Sequence, residues 1–361
     1  MLILKITHVI IYFKRNKIID SLLLKLKAKT ENMKAKQFYI LLIVITQLFT
    51  MSCGKEETAD NNPVNYRQEM RDFVVNLGAY AKNHNSSFMI IPQNGQELIT
   101  DNGEGNGTTQ TAYLQAIDAT GRESMFYGYY NDNEETPAED KQHLLDLCLL
   151  CEQNNVEVLA TDYCSTHSKM DNSYQVNNQN GFISFAANER NLNNIPNYPV
   201  NPYNENSNSI THISQAKNFI YLINSENYAT KQEFKNAVLA TNYDLVIMDL
   251  YHNETSYTQA EIEQLKTKQN GGKRLVVCYM SIGEAEDYRY YWQEDWNSSK
   301  PDWLEAENPD WEGNYKVKYW ETEWQNVIFG NNDSYLKRIL DTGFDGSYLD
   351  IIDGFEYFEE K

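Results

Sequence analysis

Leu275-Val276-Val277-Cys278-Tyr279-Met280-Ser281-Ile282 is an almost unbroken apolar run that stops abruptly at Gly283-Glu284-Ala285-Glu286-Asp287. A strand with one wet face alternates apolar and polar residues, whereas a run apolar on both faces suits a parallel strand covered on both sides. Working outward, the same texture recurs at residues 243–250, 346–352 and 219–224. Toward the N-terminus it recurs at 88–92, 113–119, 156–162 and 182–187. Helical patterns lie between these runs, at 66–83, 138–154, 231–240, 258–269 and 332–342. Strands alternating with helices predict the α/β class with a parallel sheet, and eight such strands predict closure into a single (β/α)8 barrel over 65–361.

Two connections exceed what a crossover needs. Residues 188–214 are rich in Asn, Pro, Ser and Tyr without helical period, and read as a linker. Residues 287–330 hold all six tryptophans, Trp292, Trp296, Trp303, Trp311, Trp320 and Trp324. Ordered loops longer than about 15 residues are usually functional. Most of these indoles are expected to pack, and one or two to reach a ligand.

The first fifty residues differ from the rest. From Met33 a basic stretch (Lys34, Lys36), an apolar run from Phe38 to Phe49 and Met51-Ser52-Cys53 follow one another. A positive n-region, a short apolar core and a small residue before the cut describe an export signal, and the run falls short of the roughly 20 residues a membrane span requires. It resembles a lipoprotein signal of Bacteroidetes type over 33–52, with Cys53 as the lipidated residue. Residues 1–32 are then an upstream extension and 53–64 a flexible tether. The expectation is an exported protein anchored in the outer membrane by lipid, facing the periplasm or the cell surface. An uncleaved N-terminal anchor helix is the alternative.

A formal net charge of −20 argues against nucleic acid as a partner, since phosphates are repelled. Cys148 and Cys151 have CxxC spacing inside a Leu-rich helical pattern with no second pair, so they and Cys164 and Cys278 read as buried thiols. The six histidines are scattered, no GxSxG or HExxH occurs, and neither a metal nor another cofactor is implied.

Acidic residues crowd the predicted strand ends: Glu97, Asp118, Glu123, Asp162, Asp249, Glu284, Glu286, Asp350 and Asp353. Active sites of such barrels sit at the C-terminal ends of the strands. Carboxylates there, with an aromatic loop, suit glycosidic bond hydrolysis, in which one acid protonates the leaving oxygen and a carboxylate attacks or activates water. For any single carboxylate, a cap or an ion pair is an equal reading.

The segments VVCYMSIGEAEDYRYYW, NPDWEGNYKVKYWETEWQ and GFDGSYLDIIDGFEYF resemble glycoside hydrolase family 114, a barrel family of endo-α-1,4-polygalactosaminidases and related hydrolases. FMIIPQNGQEL, AIDATGRESMFYG, TDYCS and GFISFAA resemble its other strands. The order differs: the family's strands five to eight come first here and its strands one to four last, which implies a circular permutation. By this resemblance Asp350 is the nucleophile and Glu123 the acid/base of a retaining mechanism on an α-linked, amino-sugar-containing polysaccharide or oligosaccharide. Strand six reads ATGRE here, where the fungal members carry Asn-Glu. Glu97, Asp162, Asp249, Glu284 and Arg289 are expected to line the pocket, and Tyr221, Tyr279 and Trp320 to serve as sugar platforms. The competing functions are an inactive, surface glycan-binding lipoprotein on the same barrel, and a metal-dependent deacetylase.

Overall fold

The computed structural model describes residues 63–361. The export signal, Cys53 and most of the tether therefore lie outside the described residues.

Helix α1 (Tyr66–His84) opens the described chain, its first turn closed by the Asn65 side chain accepting from the Gln68 amide at 3.1 Å. Met70, Phe73, Val74, Leu77 and Ala81 recur at helical spacing and are fully buried. Strand β1 (Met89–Pro92) follows, then the short helix α2 (Thr111–Ala116) and β2 (Ala119–Glu123). The chain continues with α3 (Ala138–Gln153), β3 (Glu157–Tyr163), α4 (His167–Gln179) and β4 (Ile183–Ala187). After a long irregular segment come β5 (Phe219–Tyr221), α5 (Lys231–Leu239), β6 (Leu245–Met248) and the small hairpin β7 (Tyr251–His252) and β8 (Thr255–Ser256). Helix α6 (Gln259–Leu265) leads to β9 (Leu275–Ser281).

The parallel strands form two sheets, β1-β13-β9-β6-β5 and β2-β3-β4, where β13 is Gly346–Asp350. A parallel bridge between Gln93 and Gly121 links β1 to β2. The order around the sheet is thus β4-β3-β2-β1-β13-β9-β6-β5. At its two ends β4 and β5 meet without a ladder, through Phe185 and Phe219, whose rings lie 5.9 Å apart. The arrangement is a parallel, barrel-like α/β sheet.

Seven of the eight expected strands coincide with observed ones, and one is displaced. Residues 113–119 were expected to be a strand, but Thr111–Ala116 is helical and the strand is Ala119–Glu123. Consequently Asp118 precedes its strand; it accepts from the Ile90 amide at 2.8 Å and pairs with Lys82 at 3.1 Å, away from the C-terminal strand ends.

The Trp-rich segment is more regular than a loop. It carries β11 (Leu304–Glu307) and β12 (Asn314–Val317), which join β10 (Glu284–Glu286) in an antiparallel sheet, and α7 (Thr322–Ile328). Trp296, Trp303 and Trp324 are buried, and the Trp324 indole donates to the Ile282 carbonyl at 2.8 Å. Helices α8 (Tyr335–Thr342) and α9 (Phe355–Glu359) flank β13, and α8 ends on Gly343 at φ 84°, a left-handed position glycine takes without strain. Residues 188–212 form no helix or strand. They are held by Asp244, which accepts from Asn206 at 2.8 Å, from the Lys217 amide at 2.9 Å and from fully buried Lys268 at 2.8 Å. The four cysteines among the described residues are all free and buried, and burial raises the Cys148 and Cys164 thiols to about 12.

Candidate active site

Strand β1 lies between β2 and β13, so the end of β1 separates Glu123 from Asp350. Each of these three strand ends is followed by a non-glycine residue in the left-handed region: Asn94 at φ 61°, Ser124 at φ 57° and Ile351 at φ 59°. Such positions cost about 1–3 kcal/mol each and persist where the surroundings hold them. At Ile351 the benefit is visible: its amide donates to Asp350 Oδ1 at 2.8 Å.

Glu123 accepts from three side chains. Gln93 and Tyr163 donate to it, and Asn94 Nδ2 donates at 3.0 Å. The Tyr221 hydroxyl donates to Gln93 Oε1 at 2.7 Å, which fixes the Gln93 amide with its N–H toward Glu123.

Asp350 accepts from the Tyr279 hydroxyl at 2.6 Å. Burial is the main cause that pushes its carboxyl up to about 7; the Tyr279 hydrogen bond opposes this, and the Glu123 charge adds to it. Asp353, one turn on, is raised to about 6, again chiefly by burial, while Arg122 and Lys316 hold it down.

Beside the pair lies a cleft of about 560 Å³ lined by six carboxylates, Glu97, Glu104, Glu139, Asp140, Asp353 and Glu356, with Arg122 and His143. Glu123 and Asp350 do not line this cleft; their chain neighbours Arg122 and Asp353 do. His143 stands between Glu97 and Glu104, one ring nitrogen 3.3 Å from each. Such a concentration of negative charge suits a cationic ligand.

The structure redistributes the other expected residues. Glu97 lines the cleft. Asp162 is fully buried on the helix side of β3 and accepts from the Phe126 and Tyr127 amides, Ser173 and Asn177, so it braces α4 and the β2–α3 connection instead of meeting a ligand. Asp249 binds Arg289 at 2.7 Å, and Arg289 also binds Glu286 at 2.7 Å. This triad ties the end of β6 to the chain after β10. Glu284 is fully buried and paired with Lys316 at 2.5 Å and with Asn308 at 2.8 Å.

Nor are the expected platforms free. Tyr221 is 1 % exposed and packs edge-on against Tyr348. Tyr279 serves Asp350. The Trp320 ring packs against Tyr66 at 5.2 Å and Phe358 at 4.7 Å. Sequence reasoning missed Gln93, Asn94, Tyr163 and Arg122. The first two were within sight, since PQNG directly follows an apolar strand; the others carried no signal apart from strand alternation.

Residues 200–361 match the model of glycoside-hydrolase family GH114. An uncharacterized protein of Methanocaldococcus jannaschii is 42% identical over 162 residues, covering 43% of each chain. One from Thermotoga maritima is 40% identical over 124 residues, 34% of this chain and 37% of the relative. One from Deinococcus radiodurans is 36% identical over 127 residues, 35% and 38%. The chain spans less than half the length of these relatives. The family match includes Asp350 and excludes Glu123.

Proposed function

We propose that this protein is a glycoside hydrolase that cleaves an α-linked, amino-sugar-containing polysaccharide with the carboxyl pair Asp350 and Glu123. The observation that carries the reading is the pair itself: two strand-end carboxyls, each held by tyrosine, flanking the end of β1 beside an acidic cleft. The resemblance makes Asp350 the nucleophile and Glu123 the acid/base of a retaining mechanism. An ammonium group arriving in the cleft favours the charged form of Asp350 and prepares it for attack. The rise of Asp350 to about 7 favours a second reading with the roles exchanged, because a carboxyl raised by burial suits the acid/base.

Aryl α-galactosaminides with a good leaving group, offered with azide, separate the two. A variant lacking the nucleophile yields the glycosyl azide of inverted configuration, and one lacking the acid/base yields the retained one. Inverted product from Asp350→Ala supports the first reading, and from Glu123→Ala the second. Undiminished polysaccharide cleavage by either variant sinks the pair.

The segment order is proposed to be a circular permutation. Supporting it, α9 lies against α1, with Arg67 paired to Glu359 at 2.9 Å and the Tyr66 and Phe358 rings 5.4 Å apart. A collinear family match to a rearranged chain also stops at the rearrangement, as the match over 200–361 does. Joining Lys361 to Asn65 through a short linker and opening the chain near Val200 should give a protein that still folds; an unfolded product argues against it. Export and lipid anchoring through Cys53 complete the proposal, and radiolabelled palmitate incorporation lost in Cys53→Ala tests them.

A further inference from the structure

The connection leaving β2 carries Phe126-Tyr127-Gly128-Tyr129-Tyr130. Phe126 and Tyr127 turn inward, but Tyr129 and Tyr130 are 38 % and 72 % exposed. Their rings meet edge to face, with centroids 5.0 Å apart and planes at 86°. Tyr129 also lines the acidic cleft, among Arg122, Asp140 and Glu356. Single exposed aromatics are common, whereas an exposed pair at the rim of a polar cleft has the form of a binding surface.

The segment that presents the pair is firmly held. The Gly128 amide donates to the Glu134 carbonyl at 2.9 Å, and Thr136 Oγ1 donates to the Ser124 carbonyl at 2.8 Å. The Asn133 amide donates to the Tyr163 carbonyl at 2.8 Å. Arg190 donates to the Gly128 carbonyl at 2.6 Å and to Asp132 at 2.8 Å, and its guanidinium lies 3.9 Å over the Tyr163 ring. That same Tyr163 donates to Glu123. The aromatic pair and the carboxylate are therefore referenced to one side chain, which is what a platform needs in order to register a ligand against the reacting bond.

We propose that Tyr129 and Tyr130 form a stacking platform for a pyranose ring, a binding subsite one or more sugar units away from the bond between Glu123 and Asp350. The apolar face of the sugar lies on a tyrosine ring, and its polar substituents turn to the carboxylates of the cleft. The class of ligand rests on the hydrolase reading. The consequence is a preference for long chains, because a short oligomer cannot reach both the carboxyl pair and the platform.

The test uses α-1,4-linked galactosamine oligomers of two and six units, with calorimetric binding to Asp350→Asn protein and steady-state kinetics on the otherwise unaltered enzyme. Tyr129→Ala and Tyr130→Ala, added singly, should weaken hexamer binding and raise its KM by about tenfold, with a much smaller change for the dimer. Tyr129→Phe, which keeps the ring face, should restore most of the loss. Equal losses for dimer and hexamer, or none for either, overturn the platform. Turnover without tyrosine dependence sinks the platform and leaves the hydrolase standing. Tyrosine-dependent binding without turnover does the reverse, and neither binding nor turnover overturns both.

Discussion

Tyr279 on β9 donates a 2.6 Å hydrogen bond to Asp350 on the neighbouring strand β13. The bond favours the carboxylate against burial, which pushes Asp350 the other way, to about 7. In Tyr279→Phe the opposing contribution is gone, so Asp350 should titrate higher. If charged Asp350 is the reacting form, the limb of the rate profile near pH 7 moves to higher pH and turnover at pH 6.5 falls by about tenfold or more. An unshifted limb, measured as kcat/KM between pH 5 and 9, contradicts this.

A carboxyl raised in the folded state binds its proton more tightly there than in the unfolded chain. Its stabilising contribution is complete below the unfolded value near 4 and is lost as pH rises through about 7. Wild-type protein should therefore lose on the order of 3 kcal/mol from this group between pH 4 and pH 8. Asp350→Asn removes the effect and should be the more stable protein at pH 8. Thermal melts of both proteins across this range check it; parallel curves would exclude it.

The Tyr348 hydroxyl is buried with no hydrogen-bond partner among the described residues, and a side chain on Gly121 would collide with it. Tyr348→Phe removes an unsatisfied polar atom and should be neutral or stabilising by up to about 1 kcal/mol. Gly121→Ala should cost about 1–3 kcal/mol through overpacking. Combining them should recover part of that loss, a coupling readable from a double-mutant denaturation cycle. Strict additivity would mean that the two positions do not compete for space.

Lys268 and Asp244 are both fully buried, and Asp244 also holds Asn206. Lys268→Met leaves an unpaired buried carboxylate and should cost about 3–5 kcal/mol. Because Asp244 anchors the long segment before β5, limited proteolysis should strike near residues 188–212 sooner than in wild type. A melting temperature unchanged within error would refute the assignment.

The strands that read clearly in the sequence are those covered on both faces, such as β6 and β9, whose interior and exterior positions are both apolar. Strand β2 did not read, because Ala119-Thr120-Gly121-Arg122-Glu123 contains no bulky apolar residue; the space inside Gly121 is filled by Tyr348 from another strand. Asp350 stood out because it ends an apolar run. Asp162 looked equivalent but is one residue out of phase: alternation sends it to Ser173 and Asn177 on α4, and sends Tyr163 inward to Glu123. Arg289 was expected to line the pocket, yet Asp249 and Glu286 claim it together.

The chain crosses from β4 to β5 at a seam closed by side chains with no ladder, and this crossing divides the strands in sequence into β1–β4 and β5–β13, with one carboxyl of the pair in each set. Glu123 ends a strand that precedes the crossing in sequence and Asp350 one that follows it. The β1–β13 ladder brings β1, the near neighbour of Glu123, against the strand of Asp350. On the proposed hydrolase reading, activity is then a report on assembly: two separately expressed half-barrels would each be silent, and activity would return only when β1 found β13.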